Sequence, residues 1–307
     1  MNRKLPINCQ LPEGFLDEEV RDGFVVTNKL KKIWAVEIDL YFQFARICEK
    51  YGIRFQLFAG SLLGAVRHRG FIPWDDDFDV AMTRDEYKKF LKVAQEELAY
   101  PYFLQTALTD RRYFFGYARL RNSETTGVIS WYSSASYNNG IYLDIYVLDG
   151  RAETAVQNFI QTKLKWIAMK LLLATARPDN TRKLACVFYD CIWPFASIIP
   201  YTLRVRFYDY VLSMYGRNPK HWNHTTHGDY TYNNITAEQW CNTQLIPFEW
   251  FEVPVPKDYD GVLKKIYGDY MKLPPVEVRG KWHESIVHFE PDLPYAEYLS
   301  KRESAFK

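Results

Sequence analysis

The stretch Phe58-Ala-Gly-Ser-Leu-Leu-Gly-Ala-Val-Arg-His-Arg-Gly-Phe-Ile-Pro-Trp-Asp-Asp-Asp-Phe-Asp-Val-Ala-Met82 decides how the chain is read. It holds Asp75, Asp76, Asp77 and Asp79 behind a Pro-Trp step. An extended chain turns successive side chains to opposite sides, so Asp75, Asp77 and Asp79 share one face and Asp76 takes the other. Carboxylates this close repel each other unless a cation lies between them. Magnesium suits the arrangement. It prefers hard oxygen ligands, takes one or two carboxylates and completes its sphere with water and phosphate oxygens. The plain alternative is a solvated acidic turn, against which stand Trp74 on one side and Phe78-Asp79-Val80 on the other.

Working outward, Gly60-Ser61 ends a short apolar segment, 53–59, that suits a strand and opens a helix over 62–68 closed by Gly70 and Pro73. A strand feeding a helix at Gly-Ser lets backbone N–H groups face a phosphate. Phe78–Met82 reads as a strand. Residues 84–98 read as an amphipathic helix with Thr83 as its N-cap. Segments 113–120 and 140–148 alternate as strands do. Within the second, Asp144 sits alone among apolar neighbours, where an unpaired carboxylate is costly. It is the natural third acid of the cluster; a buried acid paired to an arginine is the rival reading. Upstream, 16–51 has apolar residues at helix spacing.

Beyond Asp149 the pattern changes. Segments 159–176 and 184–203 read as apolar helices joined by a basic hinge, 205–250 reads as irregular, 251–270 as a strand and helix, and the tail from Met271 as loop. The expectation is an α/β (α+β) half, 1–150, followed by a mainly helical half, 151–307, whose block 251–275 folds back on the core.

Composition bounds the function. The 307 residues carry a net charge of only +2, which speaks against a general nucleic-acid binder. The five cysteines have no C-x-x-C pair, as in a reduced cytosolic protein. No apolar run follows Arg3 and Lys4, so no leader peptide is expected. The longest apolar stretch, 184–203, is broken by Asp190, Pro194 and Pro200, so no spanning helix is expected. Aromatic residues reach 17%, either as a large aromatic core or as walls for sugars and cations.

Gly-Ser, a strand-borne Asp-Phe-Asp and an isolated strand aspartate together resemble the nucleotidyltransferase superfamily typified by polymerase beta. Within it, the 58–82 stretch resembles the LicD family, whose block reads Gly-Thr/Ser-Leu-Leu-Gly-Ala-Val-Arg-His and then Ile-Pro-Trp-Asp-Asp-Asp-hydrophobic-Asp. The likeness continues in Glu19–Gly23 with Lys32-Ile-Trp34, in Leu120–Thr126, in Gly140–Asp149, in Val253–Pro256 and in Tyr267–Pro275. It implies a nucleotidyltransferase (polymerase beta-like) fold. It also implies an enzyme that moves phosphocholine from CDP-choline to a sugar of a teichoic acid, a lipopolysaccharide or another cell-surface glycan precursor, releasing CMP. Under that resemblance Asp77, Asp79 and Asp144 hold Mg²⁺ (or Mn²⁺), and Asp144, or second Asp75, is the base. Arg67 and His68 steady developing charge, and Gly60, Ser61, Arg119 and Arg121 face phosphate. The alternatives are another CDP-alcohol (ethanolamine, ribitol or glycerol), a nucleotidyltransferase proper, and an inactive phosphocholine- or glycan-binding relative.

Three features stay open at this level. Trp74, Trp131, Tyr132, Tyr137 and Trp282 are candidates for a cage around a quaternary ammonium, or plain core. His221, His224 and His227 form an array that reads as metal ligands or as polar surface. Lys163, Lys165 and Lys170 in the first apolar helix suit either a helical core or a peripheral contact at the inner face of the cell membrane.

Overall fold

The computed structural model describes residues 4–111, 113–129, 137–174, 183–216, 220–224, 235–280 and 286–305. In chain order the elements are β1 (Glu19–Arg21), β2 (Phe24–Val26), α1 (Asn28–Lys50), β3 (Gln56–Leu57), α2 (Ala59–His68), β4 (Phe78–Thr83), α3 (Arg84–Glu97), β5 (Tyr102–Gln105), β6 (Ala118–Asn122), β7 (Thr126–Ile129) and β8 (Ile141–Gly150). There follow α4 (Ala155–Leu173), α5 (Lys183–Ile198), α6 (Tyr201–Ser213), β9 (His221–His224), β10 (Ile235–Thr236), α7 (Ala237–Cys241), β11 (Thr243–Phe248), β12 (Phe251–Pro256), α8 (Tyr259–Tyr267), β13 (Ile286–Glu290) and α9 (Tyr295–Ala305).

The fold is mixed α+β, organised on β8. Along one edge β8 takes β4 in parallel, Phe78 opposite Leu143 through Thr83 opposite Leu148. Its other edge takes β6 antiparallel over 141–145 and β9 over 148–150. β3 extends the sheet beyond β4, β5 beyond β6, and β10 beyond β9. β8 is buried on both faces, only Tyr146 being half-buried, which is why it reads Ile-Tyr-Leu-Asp-Ile-Tyr-Val-Leu and why its aspartate stands out.

Helix α1 lies across β4, β6 and β8. Thr27 caps it, its hydroxyl accepting the Leu30 N–H, and Gly52 with φ +61 follows its end. Trp34 is wholly buried and stacks on Phe71 at 4.7 Å. Tyr41, Phe71, Phe78, Phe248 and Phe251 form a contiguous aromatic block that ties α1, β4 and the β11–β12 hairpin together. Much of the aromatic excess is therefore core.

Several expectations are corrected. The N-terminal helical region begins only at Asn28, since Glu19–Val26 forms a β-hairpin. Within the stretch read as irregular, 205–250, β9 and β10 join the central sheet, and β11 pairs with β12, which falls where a strand was expected. The tail returns as β13, antiparallel to β7. One hydrophobic core runs from residues near the N-terminus to Phe289. Among the described residues, α4 and α6 with Ala107 add a small satellite core, built on Ala168, Leu172, Val205, Tyr208 and Leu212.

Candidate active site

Strand β4 starts only at Phe78, so Asp75, Asp76 and Asp77 belong to the turn leading into it. Asp75, Asp77 and Asp79 nevertheless converge. A Cβ added to Gly60 would meet Asp75 Oδ2 at 2.9 Å and Asp77 Oδ1 and Asp79 Oδ2 at 3.9 Å each. The turn is anchored from below by Trp34, whose indole N–H donates to the Asp75 carbonyl at 2.8 Å. From the side, the Ser61 hydroxyl accepts the Asp79 N–H at 2.7 Å, and the Phe58 N–H donates to the Asp79 carbonyl. Ala59, at the junction of strand and helix, is held at φ +44. A non-glycine residue in that region is strained, and such strain gathers at functional sites.

These acids form one wall of a cleft of about 410 Å³. Gly60, Leu63 and Arg67 come from α2, and Ile72 and Trp74 from the loop after it. Tyr267, Asp269, Tyr270, Lys272 and Pro274 come from the closing block. The volume suits a ligand of nucleotide size. The last five residues carried no role in the sequence reading. They lie about two hundred positions from the acids, and only the packing of α8 on α2 brings them to the cleft.

Electrostatically the cleft floor is under pressure. Burial first, then the charges of Asp75, Asp79, Asp76 and Glu37, holds the Asp77 carboxyl well above the usual range. Burial, then Asp144 and Asp75, does the same for Asp79, opposed by Arg119 and the Gly60 N–H. Glu37 on α1 is 1% exposed, and burial, then Asp76, Asp75, Asp79 and Asp144, raises its carboxyl too. Asp79 Oδ1 and Glu37 Oε2 have no hydrogen-bond partner among the described residues. An unpartnered buried carboxylate oxygen beside a second acid is a strong site for a divalent cation. Asp77 and Asp79 fit one. Among the described residues, however, no three His, Cys, Asp or Glu side chains are arranged as a metal-binding set.

Asp144 accounts for that. It lies directly beside Asp79 across β4–β8 and opposite Arg119 across β6–β8. Arg119 grips both of its oxygens, at 2.5 and 3.2 Å, with the guanidinium 3.8 Å from the Tyr142 ring centroid. Neither residue lines the cleft. As the structure stands, Asp144 is a buried ion-paired acid, and Arg119 is held by it rather than turned to a phosphate. Arg121 is 1% exposed and spends its donors on Gln105 and the Gly140 carbonyl, so it too is turned away from any ligand. Ser61 is engaged with the β4 backbone and does not line the cleft.

Arg67 does line it, donating to His68 Nε2 and the Tyr270 carbonyl at 2.8 Å each. His68 holds Asp22 at 2.8 Å through Nδ1, and burial, then the Arg67 charge, lowers its pKa below the ordinary 6.5. It acts on the β1–β2 hairpin rather than in the cleft. Trp74 borders the cleft with the Arg279 guanidinium 4.7 Å from its ring centroid. Tyr137 is buried against Arg121. Trp131, Tyr132, Trp282 and His227 lie outside the described residues, as does the side chain of His224; His221 is half-buried on β9.

The strand and helix thus gather carboxylates at a helix N-terminus, beside a cleft with basic and aromatic walls. Residues 52–178 match the family described as LicD/FKTN/FKRP, nucleotidyltransferase domain, so the chain carries a LicD-family domain. It is 28% identical over 257 residues to the lipopolysaccharide cholinephosphotransferase LicD of Haemophilus influenzae, covering 78% of this chain and 90% of that protein. An uncharacterized protein of Rickettsia prowazekii is 31% identical over 70 residues, 23% of this chain and 25% of that one.

Proposed function

We propose that the chain is a phosphotransferase of nucleotidyltransferase fold that moves phosphocholine from CDP-choline to a sugar hydroxyl of a cell-surface glycan precursor, on the cytoplasmic side, and releases CMP. The observation that carries this reading is the convergence of Asp75, Asp77 and Asp79 on Gly60 inside a cleft of nucleotide size. The relative from Haemophilus influenzae, named for cholinephosphate transfer to lipopolysaccharide, supports the donor class; a teichoic acid is the other acceptor considered.

Asp77 and Asp79 would hold Mg²⁺, or Mn²⁺ in its place, and the ion would supply positive charge to the donor's pyrophosphate and the leaving CMP. Asp144 would join them only on letting go of Arg119. Asp75, at the cleft wall and 2.9 Å from the space above Gly60, takes the proton of the attacking sugar hydroxyl. Arg67 and Lys272 supply positive charge to the phosphates, and the N-terminus of α2 faces them through Gly60. Trp74, Tyr267 and Asp269 offer two aromatic rings and a carboxylate to the trimethylammonium head.

Chromatography of nucleotide products from CDP-choline, CDP-ethanolamine, CDP-ribitol and CDP-glycerol, with a hexose acceptor and Mg²⁺, tests the proposal. CMP released from CDP-choline without pyrophosphate supports it. Turnover of another CDP-alcohol would replace the head group, and release of phosphocholine with CMP left on the acceptor would replace the reaction class.

A further inference from the structure

Helix α4 is built inside out. Its buried side chains, Gln161, Ala168, Leu172 and Leu173, face α6, which Gln161 also joins by donating to the carbonyls of Val211 and Leu212. The opposite stripe should be polar in a surface helix. Instead Val156, Phe159, Ile160, Trp166 and Ile167 recur there at three- and four-residue spacing, with Phe159 62% and Trp166 55% exposed. Lys163 and Lys170 punctuate the same stripe, placed over the Phe159 and Trp166 rings. Helix α4 contains no Asp or Glu at all.

Helix α5 continues the surface. Trp166 meets Phe188 at 6.4 Å, and Lys170 donates to the Tyr189 hydroxyl. Among its described side chains α5 buries only Tyr189 and Ala196, a single seam. Val187, Trp193, Phe195 and Ile198 stand outward, the last two 72% and 79% exposed. A contiguous apolar face of this breadth marks an interaction surface.

We propose that the outward face of α4 and α5 docks on an anionic lipid bilayer, with both helices lying in the interfacial plane. Charge chooses the occupant. Helices α4 and α5 hold Lys163, Lys165, Lys170 and Lys183 against Asp190, a net +3 in a chain whose total is +2. A second copy of so basic a face would be repelled, whereas an anionic surface attracts it. Exposed aromatic and aliphatic side chains with lysines among them are the composition of interfacial helices.

Geometry speaks against the spanning alternative for these elements. No single helix among the described residues is long and apolar enough to cross a membrane, and the candidate pair Cys186–Ile198 and Tyr201–Ser213 is bent by 104°. Its second member, α6, is committed to the protein: Arg84 binds both Asp149 on β8 and Asp209 on α6, and Val205, Tyr208 and Leu212 are buried. The surface is independent of the chemistry in the cleft.

The test is flotation of the full chain with phosphatidylcholine vesicles, with and without 30 mol% phosphatidylglycerol, over a salt series. The proposal expects at least tenfold stronger partition to the anionic vesicles, weakening with salt. It also expects a fivefold or greater loss in Trp193→Ser/Phe195→Ser/Ile198→Ser and a smaller one in Lys163→Glu, each with an unchanged circular dichroism spectrum and melting temperature. Absence of anionic-vesicle binding would overturn it. So would a vesicle-free dimer, seen by light scattering, that the triple substitution dissociates. Should the triple variant fail to fold, Lys163→Glu and the salt series decide: binding indifferent to both contradicts the proposal.

Discussion

Replacing Gly60 by alanine separates what the site needs from what the fold needs. The new methyl would stand 2.9 Å from Asp75 Oδ2, where an ordinary carbon–oxygen contact is about 3.3–3.6 Å. The atom it meets is the far end of a side chain rather than backbone, so Asp75 gives way by about half an ångström while the backbone stays. Gly60 lies in the first turn of α2, where alanine gains up to about 1 kcal/mol over glycine. The melting temperature should therefore stay within about 3 °C of wild type or rise. Catalysis should not survive so well, because a misplacement of about 1 Å at a reacting group can cost roughly 10²-fold. The expected fall in kcat is about 10- to 100-fold, read by CMP release under saturating donor. Gly64→Ala is the control. Its methyl would meet the Gly70 carbonyl oxygen at 2.5 Å and the Ile72 nitrogen at 3.2 Å, which are backbone atoms and cannot swing aside. That variant should lose about 1–3 kcal/mol of stability. Wild-type kcat in a folded Gly60→Ala enzyme would refute the assignment of Asp75 and of the space above Gly60.

Three further outcomes follow from the same geometry. The raised carboxyls of Asp77, Asp79 and Glu37 contribute stability that is complete below their unfolded values of 3.8 and 4.5 and is lost as pH rises through their folded values. Metal-free protein should melt lower at pH 8 than at pH 5, Mg²⁺ should restore the difference, and Asp77→Asn should stabilise metal-free protein by about 1–2 kcal/mol while abolishing turnover; a flat, Mg²⁺-insensitive melting profile would count against the cluster. Breaking the buried Arg119–Asp144 pair from one side, as in Arg119→Met, should cost about 3–5 kcal/mol by denaturant titration, and a near-neutral result would show the pair to be dispensable. Trp74→Leu should raise KM for CDP-choline about 2- to 30-fold and for CDP-ethanolamine less, the worth of a cation over an indole face; equal changes for both donors would remove Trp74 from the head-group site.

The acidic turn and its strand were legible because chemistry and periodicity coincide there: four carboxylates cannot crowd into an apolar frame without a purpose, and Asp144 interrupts an otherwise apolar strand. Pairing of that strand acid with an arginine was the rival reading; which arginine was not legible, since Arg119 is brought opposite it only by antiparallel pairing of β6 with β8. Glu37 carried a signal that was passed over. It falls three residues after Trp34 and four before Tyr41, on the buried stripe of α1, although a glutamate at first reads as solvent-facing. The β1–β2 hairpin escaped because strands of three residues leave too little alternation to compete with the helix pattern that follows. Lys272 and Asp269 lie in the block 267–275 that carried the family likeness, but nothing local marked them as cleft residues; the packing of the closing block brings them there.

The central claim is that Asp77 and Asp79 hold a divalent cation for a CDP-alcohol donor. Isothermal titration of CDP-choline into wild-type protein and into Asp77→Ala/Asp79→Ala, each with and without Mg²⁺, tests it most directly. The account predicts binding that requires Mg²⁺ and disappears in the double variant while its fold is retained. Equal affinity with and without Mg²⁺, or in the double variant, would contradict it.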